Sequence, residues 1–455
     1  MSEVVAAPAR SRSAWKWVTL ADVGKVITGN TPPTADAENY GDAIPFVKPT
    51  ELVDRGIRSA PSGLAPQAMG KARVVPAGAV LVSCIGNLGK TGIAKVPVAF
   101  NQQINAVVFN ENVVPEFGFY YAQTLKPWLY GESSATTIPI VNKGKFQQAR
   151  FPLAPVDEQR EIVAELEKQF SRLDEAVANL QRVKANLKRY KASVLKAAVE
   201  GHLVETEASL AHREGRTYET GEQLLQRILD ERRAKWNGKG KYKEPLPLDT
   251  NGIGTTPEGW GWAAVEVICE SIVDCPHSTA KFQPNGYPCV DTTWMTTEGL
   301  VVDRARFVDE ATYLDRISRL APKPGDIVFA REGTIGTAVL IPDRMTPCLG
   351  QRVMLLRASQ EYLNGLLVHV LHSEVVKSQY RAQALGSTVA HINVGDVKRF
   401  AVPVPPLAEQ VRILAEVDRH LSIIREVEAE VDANLQRAQA LRQSVLARAF
   451  LEGVK

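Results

Sequence analysis

Two stretches, Val156 to Glu200 and Leu407 to Glu452, contain neither proline nor glycine, and apolar residues recur in them at three- and four-residue steps or their seven-residue sum. Leu166, Phe170, Leu173, Val177, Leu180, Leu187 and Val194 keep this spacing in the first; Val417, Leu421, Ile424, Val431, Ala438 and Val445 keep it in the second. That is the seam of a coiled coil, so two long helices are predicted, with Lys184 interrupting the first seam. At about 1.5 Å per residue each would reach on the order of 65–70 Å, far beyond an ordinary globular helix. Elsewhere the pattern is shorter. The apolar runs AVLVSCI, INAVVF, DIVFA and RVMLL are bounded by Gly and Pro as strands are, and helical patches such as FGFYYAQTLKPWL and YLNGLLVHVLHSEVVKSQY lie between them. The predicted class is α+β.

The chain says most of this twice, in the same order. PVDEQREI from Pro155 returns as PLAEQVRI from Pro406, and WKWVTLADVGKVI from Trp15 as WGWAAVEVICESI from Trp260. IPFVKPTELVDRG matches YPCVDTTWMTTEG, PAGAVLVSCIGNLGKTGIA matches PKPGDIVFAREGTIGTAVL, and TTIPIVNKGKF matches STVAHINVGDV. A repeat of this length marks a duplicated module. The expected division is a first globular domain at 1–155, a long helix at 156–204, a linker with a helix at 205–258, a second globular domain at 259–405 and a second long helix at 406–455. Both long helices begin acidic (Asp157, Glu158, Glu161; Glu409, Glu416) and end basic (Lys188, Arg189, Lys196; Arg442, Arg448). This polarity fits an antiparallel pair, in which each acidic start faces the other's basic end; it also fits two helices that each complement their own dipole.

Composition adds exclusions. At 455 residues the chain can bury more than one core. Its five cysteines include no C-x-x-C pair, and MSEVVAAPARSRSA lacks the apolar core of a secretory signal, so a reducing cytoplasm is the expected setting. No apolar run is long enough to span a membrane. A net charge of +3 permits a nucleic-acid partner without requiring one.

Two domains that each open W-x-W and each pass through P-x-x-P-x-x-E-Q into a long helix resemble the specificity subunit of a type I restriction-modification system, over essentially the whole chain. The resemblance implies two target recognition domains, each reading one half of a split, asymmetric sequence in double-stranded DNA. It implies long helices packed antiparallel as a spacer that docks methyltransferase subunits, two in number, and it admits restriction subunits. It implies no catalysis in this chain: S-adenosylmethionine, ATP and Mg belong to the partners.

Candidate DNA contacts come from paired polar loops. Thr31 and Thr34 lie in one such loop, and His277, Ser278 and Thr279 in its counterpart; their side chains can donate to phosphates or base edges. Lys48 and Thr50 correspond to Asp291, Thr292 and Thr293. Gln102 and Gln103 correspond to Gln351 and Arg352, and glutamine can read adenine and arginine guanine in bidentate fashion. The Gly-rich turns add Ser83, Asn87 and Lys90, then Arg331 and Thr334. The last repeated stretch adds Lys143, His391 and Asn393. GNLGKTG is not a phosphate-binding loop, because the first glycine of that motif would fall at Cys84 and the second copy has no lysine. VDCPHST sets Cys275 near His277, but its first-half counterpart has no metal-ligand residues, so no metal site is expected.

Glu158–Gln159 and Glu409–Gln410 are candidates for docking a methyltransferase subunit or for a contact across the pseudo-twofold junction between one domain and the other's helix end; proline and carboxylates are also ordinary helix-start signals. A competing reading is a coiled-coil scaffold whose globular ends bind proteins. It differs in not requiring basic, polar loop faces such as Lys48, Lys90, Lys143, Arg331, Arg352 and Lys398 would supply. Catalysis by this chain lacks support: no Gly-rich cofactor loop opens a helix, and no methyltransferase signature is present.

Overall fold

The computed structural model describes residues 15–450 apart from 135–136, 237–240, 246–247, 249–253, 277 and 385–390. It divides into two units, one made of Met1–Val183 with Glu430–Lys455 and one of Lys184–Ala429.

In the first unit a five-stranded sheet runs in the order Gly24–Thr28, Ile104–Phe109, Val80–Ser83, Thr91–Ala94, Arg55–Ile57. Val80, Leu81 and Val82 are all fully buried because both faces of this strand are covered. The two-residue period sorts them: Val80 and Val82 pack with Phe117 of the helix Pro115–Ala122, while Leu81 packs with Val47 and Phe100 of a smaller sheet. That smaller sheet contains Tyr40–Val47 and Val98–Phe100 as a parallel pair.

The second unit is built the same way. Its main sheet runs Cys269–Asp274, Val353–Ala358, Ile327–Ala330, Ala338–Leu340. Ile327 and Phe329 face one core, Val328 and Ala330 the other. A parallel pair, Tyr287–Val290 with Cys348–Leu349, again belongs to a smaller sheet. At the root of each unit the opening strand pairs with the strand that precedes a long helix. Lys16–Thr19 pairs with Arg150–Leu153, and Gly261–Ala264 with Ala401–Val404, with Trp17 opposite Pro152 and Trp262 opposite Pro403.

The long helices run Val156–Val199 and Leu407–Phe450, 44 residues each. They pair antiparallel within each unit. In the first, Leu166 and Phe170 are buried with Val445, Leu446 and Phe450, and Arg442 donates to Asp174 at 3.0 Å. In the second, Tyr190 meets His420 at 2.8 Å, and Ala198 and Val199 share a core with Ile413 and Val417. Every predicted seam position is buried or half-buried, and Lys184 is exposed. The linker carries the expected helix as Gly221–Ala234, with Thr220 and Gln223 closing a capping box. It also carries a helix the sequence reading did not foresee, Glu207–Glu214, capped by Thr206 at its start and by left-handed Gly215 at its end. No helix among the described residues is long and apolar enough to cross a membrane.

Candidate nucleic-acid interface

The parallel strand pair of each unit ends in a turn that leads directly into the main sheet. In the first unit that turn is Asn101–Gln103, tied down where Asn101 N–H donates to the carbonyl of Val47 at 3.1 Å. Gly29 presses against it so closely that a Cβ would lie 2.2 Å from the Asn101 carbonyl. Lys48 and Gln102 are exposed on either side of that tie, and Thr31 donates its hydroxyl to Oε1 of Gln102 at 2.6 Å. Thr34 is exposed further along the same loop. Thr50 is exposed and donates to Glu51, whose carboxylate also accepts from the Lys48 backbone. Gln103 differs from its neighbour, since its Oε1 accepts from Asn101 Nδ2 at 2.9 Å.

The second unit repeats the turn as Gly350–Arg352, tied by Gly350 N–H to the Val290 carbonyl at 2.7 Å. Thr279 donates to Oε1 of Gln351 at 3.1 Å. Together with Asp291, Thr292, Thr293 and Arg352 these residues line a recess of about 320 Å³. Asp291 is the hub of its floor: it accepts from Thr293 and receives Arg306 at 2.7 Å. The Arg306 guanidinium lies 3.5 Å over the ring of Phe282, which flattens it against the wall. Arg352 adopts a left-handed φ of 68°, uncommon for a side chain of its size; its side chain is 58 % exposed, with Nε 3.5 Å from the Glu332 carboxylate. Arg316 donates to the carbonyls of Ser278 and Leu349, the residues that precede Thr279 and Gly350. Sequence reading passed over Arg306 and Arg316, which stand outside the paired stretches.

Several candidates lie elsewhere or point inward. Ser83 is fully buried and closes the Gly86–Gly89 turn, donating to the Asn87 carbonyl and accepting from Lys90 N–H. That turn joins two antiparallel strands and opens no helix, which removes the geometry a phosphate loop needs. Asn87 is exposed and Lys90 half-buried. Arg331 is turned into the protein, where its guanidinium pairs with Asp274 at 2.6 Å and donates to the Ile392 carbonyl at 3.0 Å. Its role is therefore structural, while Thr334 is exposed on the turn beside it. Lys143, His391 and Asn393 are exposed at or beside the starts of short helices, and the His391 backbone pairs with that of Glu332 in an isolated antiparallel β-bridge. His277 lies outside the described residues.

All five cysteines are buried, and burial pushes the Cys84 and Cys269 thiols up to about 12, as befits packing residues. Among the described residues no group of three or more His, Cys, Asp or Glu is arranged to hold a metal.

The repeated Glu–Gln phrase needs correction as a docking surface. Gln159 and Gln410 are fully buried inside the chain and make the same three bonds. Gln159 accepts from Val114 N–H and donates to the carbonyls of Asn112 and Ala154; Gln410 accepts from Leu363 N–H and donates to Glu361 and Pro405. Each locks its globular domain to the first turn of its helix. Glu409 is equally buried, accepting from Trp260 Nε1 at 2.9 Å and from Glu207 N–H at 2.8 Å, and burial raises its carboxyl above the ordinary range. Within the phrase, Glu158 alone keeps partial exposure.

Comparison with known proteins places this arrangement. The family model described as "Type I restriction modification DNA specificity domain" matches residues 12–188 and again 280–436, once in each copy. The specificity subunit of the type I restriction enzyme EcoBI from Escherichia coli is 21 % identical over 453 residues, covering 96 % of this chain and 85 % of that protein. The MjaVIII specificity subunit from Methanocaldococcus jannaschii is 21 % identical over 432 residues, covering 93 % and 90 %. Among solved structures, a chain from work on "complex assembly and conformational transition of the type I R-M system" shares the fold at a TM-score of 0.64 and 20 % identity, covering 98 % of this chain and all of that one. With both copies matched and most of the chain covered, this protein belongs to the type I restriction-modification specificity family, as a non-catalytic, DNA-binding subunit with two recognition domains.

Proposed function

We propose that each recognition domain reads one half of a bipartite, asymmetric target in double-stranded DNA, and that the paired long helices set the gap between the halves. We further assign the helices the docking of methyltransferase subunits, two per complex. Those subunits bring S-adenosylmethionine; ATP and Mg come with a restriction subunit where one joins. The observation that carries this reading is the duplication of a whole device. The same polar turn leaves the same parallel strand pair in both units, and each unit is joined by the same three-bond glutamine lock to a 44-residue helix. The exposed Lys48, Thr34 and Gln102 and the exposed Arg352 are side chains suited to phosphates and base edges.

The test is to map methylated bases in cells that express the chain with a methyltransferase subunit, before and after lengthening the helices. Four residues inserted after Val183 and four after Ala429 add one turn, about 6 Å, to each helix and nearly restore the seam. DNA advances about 3.4 Å per base pair. Two unchanged half-targets with a gap longer by one to two base pairs are expected. An unchanged gap with full activity would show that the helices do not set it.

A further inference from the structure

We propose that Gln102 and Gln351 each read an adenine, one in each half-target, and that Thr31 and Thr279 hold their amides in the reading orientation. This rests on the reading of the paired loops as the DNA interface. The two glutamines occupy the same place in the fold. Each stands two residues after a parallel strand ends, at Phe100 or Leu349, and two before an antiparallel strand begins, at Ile104 or Val353. The backbone beneath each is pinned by the same bond, from Asn101 or Gly350 to the carbonyl of Val47 or Val290.

The threonines arrive by the same route. Both come from the loop that leaves the first strand of the main sheet, Gly24–Thr28 in one unit and Cys269–Asp274 in the other. Those strand ends are equivalent, Thr28 lying opposite Asn105 and Asp274 opposite Met354. The loops differ in length, with Thr31 three residues past the strand and Thr279 five past, yet each delivers a hydroxyl to a glutamine Oε1.

A neutral hydrogen bond at the surface adds little to stability, because water supplies the same bond in the unfolded chain. Its value here is orientation. Threonine is stiff at χ1, and in both units its hydroxyl donates to the amide oxygen, so the Oε1 end of each amide is the end held toward the threonine. The oxygen carries a second lone pair and the nitrogen two N–H groups. An amide so fixed matches the N6 donor and N7 acceptor that adenine presents in the major groove; guanine offers two acceptors there. The following residue is where the copies diverge. Gln103 is drawn in by Asn101, whereas Arg352 stands out in a left-handed conformation. A shared adenine reader beside an unshared neighbour gives two half-targets that differ around a common base.

The experiment is selection by the purified full chain from a randomised duplex library, with Gln102→Ala, Gln351→Ala, Thr31→Val and Thr31→Ser alongside. The wild type is expected to select a two-part sequence with an adenine in each part. Gln102→Ala is expected to lose on the order of 10-fold preference at one adenine of one part and leave the other part unchanged, which also controls for folding. Gln351→Ala is expected to do the reverse. Thr31→Val is expected to weaken the same position as Gln102→Ala, and Thr31→Ser to retain it. Replacing that adenine by 7-deazaadenine, which lacks the N7 acceptor, is expected to cost the wild type about as much and Gln102→Ala nothing. A selected sequence with no adenine in either part, a uniform loss across sequences, or an equal deaza penalty in both proteins overturns the assignment. A wild type that selects no two-part sequence overturns instead the reading of the loops as a DNA interface.

Discussion

The two helix starts carry the same Glu–Gln pair, but the glutamate sits in different surroundings in each copy. Gln159 and Gln410 make identical bonds, but Glu158 is partly exposed and makes no hydrogen bond or ion pair among the described residues, whereas Glu409 is sealed in and receives Trp260 and the backbone of Glu207. The difference follows from chain order. The linker comes after the first long helix and packs its helix Glu207–Glu214 on the start of the second, where Glu207 also pairs with Arg216 and Arg412. The same glutamate is thus an ordinary helix-start charge in one copy and the centre of a buried network in the other. A second contrast lies in the helix that packs on each main sheet. Gln123, just past Pro115–Ala122, corresponds to His372, just past Asn364–Leu371. The His372 Nε2 accepts from Ala338 N–H at 2.9 Å, which requires the neutral ring.

The largest expected departure between the units is therefore with pH. Burial, helped by His369, Lys377 and Lys191, holds His372 down to about 4 against an ordinary 6.5. The stabilisation from its neutral ring is complete above 6.5 and is lost as pH falls toward 4, amounting to roughly 3 kcal/mol at full extent. Hydrogen exchange followed from pH 7 to 4.5 is expected to show the second unit loosening first. His372→Gln, which imports the residue of the first unit, is expected to remove that part of the difference. Unchanged acid sensitivity in the variant would assign it to another group.

Glu409→Ala leaves two buried donors without an acceptor and is expected to cost about 2–3 kcal/mol in the second unit. Glu158→Ala, at the same position of the repeat, is expected to stay within about 0.5 kcal/mol. Comparable losses from both would erase the contrast. Gln159→Ala and Gln410→Ala sharpen it from the other side. Each is expected to cost about 2 kcal/mol, equally, with protection lost at the Val114 amide in one case and the Leu363 amide in the other. Unequal effects would mean that the locks share geometry without sharing energetics.

The long helices and the duplication were legible in the sequence because they are periodic. A seam at three- and four-residue steps and a phrase repeated in order carry information locally, and the acid-to-basic polarity agrees with the Asp174–Arg442 pair. The strands were legible for the same reason, as short apolar runs between Gly and Pro. What escaped was the inward turn of polar side chains. Glu409 and Arg331 look like surface residues in sequence, and their burial is decided by partners far along the chain: Glu409 meets a tryptophan 149 residues away, and Arg331 an aspartate 57 away. The helix Glu207–Glu214 escaped although Thr206 and Gly215 are ordinary cap residues, because its eight residues are too few for a periodic signal. The Thr–Gln pairs were visible only as separate residues, since the bonds that join them span 71 and 72 positions.

The central claim is that the two copies are independent readers. Its most direct test is to exchange residues 15–150 for the corresponding domain of another member of the family and to map methylated bases in cells that also express a methyltransferase subunit. One half of the target is expected to change completely, with the other half kept as it was. A change in both halves, or in neither, would contradict the account.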